Sequence, residues 1–82
     1  MADKLLNVII LSPKKTLFQG KAERVILPGE NGVFEVLPFH KRLLSRLLTG
    51  TVIVDGQMIP IYRGVVQVGG NKVTIIIEEE KK

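Results

Sequence analysis

The sequence predicts an all-β fold, a flattened sandwich or barrel of about nine or ten short strands. Three observations lead there. Gly and Pro recur at short intervals, at Pro13, Gly20, Pro28-Gly29, Gly32, Pro38, Gly50, Gly56, Pro60, Gly64 and Gly69-Gly70. The segments between them are rich in Val, Ile and Leu, residues that suit a pleated, half-buried surface. No apolar run exceeds about five residues, far short of a membrane-spanning helix or a signal-peptide core. With 82 residues there is room for one domain, taken here as 1–82.

The strands follow in order. Leu5 to Leu11 is the first and closes at Ser12-Pro13. Lys15 to Gln19 is the second, ending at Gly20. Ala22 to Leu27 is read as one strand, with Val25 and Leu27 on one face and Ala22 and Ile26 on the other. Val33 to Leu37 sets Phe34 and Val36 opposite Glu35. Thr51 to Val54 and Gln57 to Tyr62 flank Asp55-Gly56, which suits a type I′ hairpin because both turn positions need positive φ. Pro60 has no N–H to donate, so its strand belongs at an edge. Val65 to Val68 and Val73 to Glu78 form a second hairpin around Gly69-Gly70-Asn71. Leu43, Leu44, Leu47 and Leu48 are spaced for two helical turns, but so short a helix is marginal unless docked. Periodicity alone leaves residues 42–48 open between helix and strand.

Twelve Lys and Arg against eight Asp and Glu give a net charge of +4. Three of the acids lie in the last five residues, so the body of the chain is more basic than the whole. Such a balance fits nucleic acid, an anionic membrane surface or an acidic protein patch. There is no cysteine, which excludes disulfides and thiolate metal sites. One histidine, His40, and two serines, Ser12 and Ser45, show no spacing that would assemble a nucleophilic triad. The acids Glu23, Glu30, Glu35 and Asp55 are scattered over different segments. Glu78, Glu79 and Glu80 point alternately in an extended chain, so no metal site is expected and residues 79–82 read as a charged tail. Gly29-Glu30-Asn31-Gly32 lacks the Lys-Ser/Thr ending of a phosphate-binding loop and reads as a tight strand connection. No cofactor is expected. A small basic barrel that binds nucleic acid is the alternative reading, although stacking platforms need exposed aromatics and this chain has only Phe18, Phe34, Phe39 and Tyr62.

Five segments in register carry a resemblance. They are Ser12-Pro13, Leu17-Phe18-Gln19-Gly20, Pro28-Gly29-Glu30-Asn31-Gly32, Leu37-Pro38-Phe39-His40 with Leu43-Leu44, and Arg63-Gly64-Val65-Val66-Gln67-Val68 with Asn71-Lys72-Val73-Thr74-Ile75. Together they resemble the amino-terminal β-sandwich domain of the epsilon subunit of F-type ATP synthases, the counterpart of the mitochondrial delta subunit. The resemblance runs from residue 5 to residue 78 and treats residues 43–48 as strand.

What the resemblance implies is a non-catalytic rotor part. It would bind the gamma subunit and contact the membrane c-ring, coupling proton- or sodium-driven rotation to ATP synthesis. Its expected place is the cytoplasmic face of a bacterial inner membrane, peripheral and held through the complex, and it is expected to be a monomer in isolation. The c-ring-facing loops would carry Glu30, Asn31, Phe39, His40, Lys41 and Arg42. The family's usual His-Ala-Pro is His40-Lys41-Arg42 here, which adds positive charge and removes a proline. The family usually continues into a carboxy-terminal helical hairpin, and this chain is expected to be a sandwich without it.

Overall fold

The computed structural model describes residues 5–78, so the expected tail at 79–82 lies outside the described residues. Nine strands follow one another: β1 Leu6–Leu11, β2 Thr16–Ala22, β3 Val25–Gly29, β4 Gly32–Val36, β5 Leu43–Leu47, β6 Gly50–Val54, β7 Gln57–Ile61, β8 Arg63–Gly69 and β9 Lys72–Glu78. No helix occurs among the described residues. The strands form one curled sheet in the order β2-β1-β9-β8-β5-β3-β6-β7, with β4 on the other side of β3. All pairings are antiparallel except β1 with β9.

Two layers result. One is β2-β1-β9-β8-β5 and the other is β4-β3-β6-β7, joined by a single register pair, Gly29 opposite Leu47. Both layers send their inward residues into one core, with Leu6, Ile10, Val66 and Ile75 from the first and Val25, Leu27, Val36, Val52 and Val54 from the second. No polar residue is buried among the described residues. The core is therefore aliphatic, with Phe18 and Phe34 packed against its rim.

Residues 43–48 are settled by alternation. Leu47 is buried while Leu44 is 76% exposed, a period of two rather than of a helix. Pro60 sits in β7, the end strand of the sheet, where a missing donor costs no ladder bond.

The single strand expected over Ala22 to Leu27 is corrected. Ala22 ends β2, Val25 begins β3, and the chain bends between them. The cause is Asp55, whose carboxylate accepts the backbone N–H groups of Glu23 and Arg24, each at 3.0 Å. Those groups are thereby withdrawn from any ladder. The second strand also runs past its expected end at Gly20, which pairs with Val8 inside β2. Within the tight connection expected over residues 29–32, Gly29 is a packing position. A Cβ there would lie 2.6 Å from the Phe34 ring, whereas Gly32 carries the positive φ of 117°.

Candidate functional site

The expected partner loop is built from two turns that hold each other. Leu37-Pro38-Phe39-His40 is closed by the His40 N–H donating to the Leu37 carbonyl at 3.2 Å. Pro38 presets the second position and Phe39 takes the third with φ 68°, the left-handed place that Gly or Asn usually fills in a type II turn. The neighbouring turn is Gly70-Asn71, both at positive φ, between β8 and β9. Asn71 bridges the two: its Oδ1 accepts the Phe39 N–H at 2.6 Å, and its carbonyl accepts the Asn7 N–H at 2.8 Å.

The Phe39 side chain takes no part in the core and is 71% exposed. His40, Lys41 and Arg42 are exposed beside it. The His40 ring turns back on its own loop, with Nδ1 2.7 Å from the Lys41 carbonyl. Because a carbonyl only accepts, Nδ1 is the protonated nitrogen there. Arg42 lays its aliphatic stem along Gly69, where a Cβ would meet its Cγ at 3.7 Å. It then shares a shallow groove with Leu44, Gln67, Lys72 and Thr74.

Glu30 and Asn31 form a separate neighbourhood. They make the tip between β3 and β4 and line a groove with Leu43 and Ser45 at the start of β5, while Glu30 also borders Arg46 and Leu48. The six expected residues thus fall into two clusters on either side of β5. Phe39 to Arg42 lie with Asn71 and Lys72, and Glu30-Asn31 lie against the opposite edge.

A second surface went unread in the sequence. On the outer face of the five-stranded layer, Leu11 stands opposite Ile76, Ile76 opposite Val65, and Val65 opposite Arg46. Ile76 is 50% exposed, and Leu44 and Leu48 flank the row. The signal was present in Ile75-Ile76-Ile77: when one face of a strand is buried, the middle one of three must face out. The row ends at an exposed ion pair between Arg63 and Glu78 at 3.7 Å, and Arg63 also lies 4.8 Å over the Tyr62 ring. A smaller apolar strip on the other layer runs Ile26, Ile53, Met58.

Neither surface offers catalytic chemistry. The Ser12 hydroxyl is engaged within its own turn with Lys14 and Lys15, and the Ser45 hydroxyl donates to the Arg46 carbonyl. No cluster of acids and histidine suited to a metal ion occurs among the described residues.

The sequence profile described as the ATP synthase delta/epsilon chain β-sandwich domain matches residues 5–81. The chain belongs to that family. An ATP synthase epsilon chain from Maricaulis maris is 41% identical over 83 residues, covering 96% of this chain and 62% of that protein. One from Chlorobaculum tepidum is 36% identical and is covered almost fully, 95% of this chain against 94% of the relative. The chain thus spans under two thirds of the first relative and nearly all of the second. Among solved structures, a chain of the Euglena gracilis mitochondrial ATP synthase superposes with a TM-score of 0.83 at 17% identity, over 92% of this chain and 51% of that one. A chain from the Tetrahymena thermophila central stalk and c-ring assembly gives 0.79 at 15%, over 94% and 65%. At these identities the structures show the shared fold, and the sequence relatives carry the family.

Proposed function

We propose that the chain is the non-catalytic rotor subunit that fastens the gamma subunit of an F-type ATP synthase to its c-ring. The observation that carries this reading is the outward row Leu11, Ile76, Val65 with Leu44 and Leu48 beside it. A contiguous apolar patch on an otherwise satisfied sandwich marks a docking face. Burying each such side chain contributes about 1–2 kcal/mol, since they are half exposed at the start. Gamma is assigned to this face, and the end bearing Glu30, Asn31 and Phe39 to Arg42 is assigned to the c-ring. The place of work is the cytoplasmic face of a bacterial inner membrane. Proton- or sodium-driven rotation would pass through the subunit as torque, which suits a body of short turns and paired strands with few soft elements.

The nucleic-acid alternative loses its support in the geometry. Phe18 and Phe34 pack on the core and Tyr62 lies under Arg63, which leaves Phe39 as the one largely exposed aromatic ring among the described residues. One ring is not a stacking platform.

The test is co-purification with the gamma subunit. Ile76→Lys and Val65→Glu should abolish capture, while Met58→Lys on the opposite layer should leave it intact, with all three variants still showing β-type circular dichroism. Failure of the unaltered chain to bind gamma, or capture indifferent to Ile76 and Val65, overturns the reading.

A further inference from the structure

One charge stands where the apolar row would be covered. On β5, Leu44 and Arg46 alternate outward and Leu48 follows the strand, so Arg46 has an exposed leucine on either side along the chain. Across the ladder it stands opposite Val65, which in turn stands opposite Ile76. Arg46, Leu48, Val65 and Ile76 line one groove. Three sides of the guanidinium are therefore apolar. The fourth opens past β5, the last strand of this layer, toward Glu30 at the β3–β4 tip.

The charge is also unanswered. The other arginine of the groove, Arg63, has Glu78 directly opposite across the β8–β9 ladder and pairs with it at 3.7 Å. Arg46 forms no ion pair among the described residues, and Glu30, which borders the same groove, forms none with it. In water such a cation needs no partner. Once a docked protein covers Leu44, Leu48 and Val65, water leaves the guanidinium too, and a buried charge is tolerated only when it is paired. A planar guanidinium is best matched by a carboxylate, which accepts two parallel N–H bonds. A backbone carbonyl would accept one bond and leave the charge standing.

We infer that Arg46 is a specificity-determining residue of this face, and that the surface of gamma it accepts carries a carboxylate set within an apolar strip. The inference rests on the gamma reading above and adds the chemistry that gamma presents there. A purely apolar surface is rejected by the unpaired guanidinium. An acidic surface without the strip leaves Leu44, Val65 and Ile76 in water, so attraction and rejection together select the partner.

The experiment is a binding titration of the unaltered chain and its variants against the gamma subunit, with circular dichroism to show that each variant is folded. Arg46→Leu is the informative substitution, because it removes the charge and makes the patch more apolar. With a carboxylate on gamma it strands that group in the interface, and affinity should fall about thirty-fold or more. Arg46→Lys keeps the charge without the fork and should weaken binding less, by about three- to ten-fold. Undiminished or tighter binding by Arg46→Leu, while Ile76→Lys still abolishes it, overturns this inference and leaves the gamma reading standing. Binding indifferent to Ile76→Lys removes both. Recovery of affinity when Glu30→Gln is added to Arg46→Leu would place the counter-charge on this chain rather than on gamma, and that also overturns the inference.

Discussion

Asp55 and Arg24 close a reciprocal pair of hydrogen bonds across the second layer. The Arg24 N–H donates to Asp55 Oδ1 at 3.0 Å, and the Asp55 N–H donates to the Arg24 carbonyl at 3.3 Å. One residue therefore does two jobs. Its backbone, at φ 47°, turns the β6–β7 hairpin, and its carboxylate caps the bend between β2 and β3.

Separating the two jobs gives the first prediction. Asp55→Gly keeps the turn and removes the cap, so it should cost about 1–2 kcal/mol, the range for hydrogen bonds to a partly solvated charge. Asp55→Ala should cost about 1 kcal/mol more, because a Cβ in the left-handed region is strained and no side-chain oxygen compensates. Asp55→Asn should fall below both, since it retains an acceptor and tolerates the φ. Urea unfolding read by circular dichroism ranks the three. A glycine variant as stable as the parent would mean that the cap contributes nothing.

Two glycines should respond in opposite ways to alanine. At Gly64 the new Cβ would stand 2.5 Å from the Ile76 carbonyl oxygen and 3.1 Å from the Ile77 Cα. Both are backbone atoms of β9 and cannot swing aside, so Gly64→Ala should cost about 2–3 kcal/mol. At Gly20 the nearest atoms belong to the Phe18 ring at 3.6 Å, an ordinary contact. Gly20→Ala should be neutral or stabilise by up to about 1 kcal/mol through the unfolded chain. Thermal melts of the pair decide it, and equal losses would contradict the packing at Gly64.

Phe39→Gly should raise stability. It removes a left-handed penalty of about 1–2 kcal/mol and gives back part of that as added freedom in the unfolded state, for a net gain of about 0.5–1 kcal/mol. A melting temperature several degrees higher is expected in a domain of this size. A lower one would show that the ring packs and that its exposure is not what holds it at the surface.

Much of the fold was legible because its punctuation is local. Asp55-Gly56 and Pro60 announced a hairpin and an edge strand, and both lie where local chemistry put them. The bend at Glu23-Arg24 was not legible, because its cause is Asp55, 32 residues from Glu23 and 31 from Arg24, and no local rule links them. The need for glycine at Gly29 was not legible for a similar reason: it rests on the Phe34 ring across the ladder. At the candidate site, the exposed Phe39 could be anticipated from its charged neighbours. The Asn71 bond that holds it could not, since it joins two turns separated in the chain by β5, β6, β7 and β8. The apolar row needed the register of four strands before it became a surface.

The three isoleucines Ile75, Ile76 and Ile77 test the docking face against the core within one strand. Ile75 and Ile77 are 0% and 4% exposed, while Ile76 is 50% exposed. A small sandwich has only a few kcal/mol to lose, so alanine at the buried positions would risk unfolding it altogether. Valine is the better probe. Ile75→Val and Ile77→Val should each cost about 0.5–1.5 kcal/mol and leave gamma capture unchanged once the chain is folded. Ile76→Ala removes more carbon yet should cost under about 1 kcal/mol, because the atoms lost were already half in water. Its effect should appear in binding, as a weaker complex with gamma at unchanged fold. The measurement is a paired one, urea midpoint and gamma affinity for each variant. If Ile76→Ala lowers the midpoint as far as Ile75→Val does while binding stays intact, the outward isoleucine is a structural residue and the row Leu11–Ile76–Val65 is not the docking face.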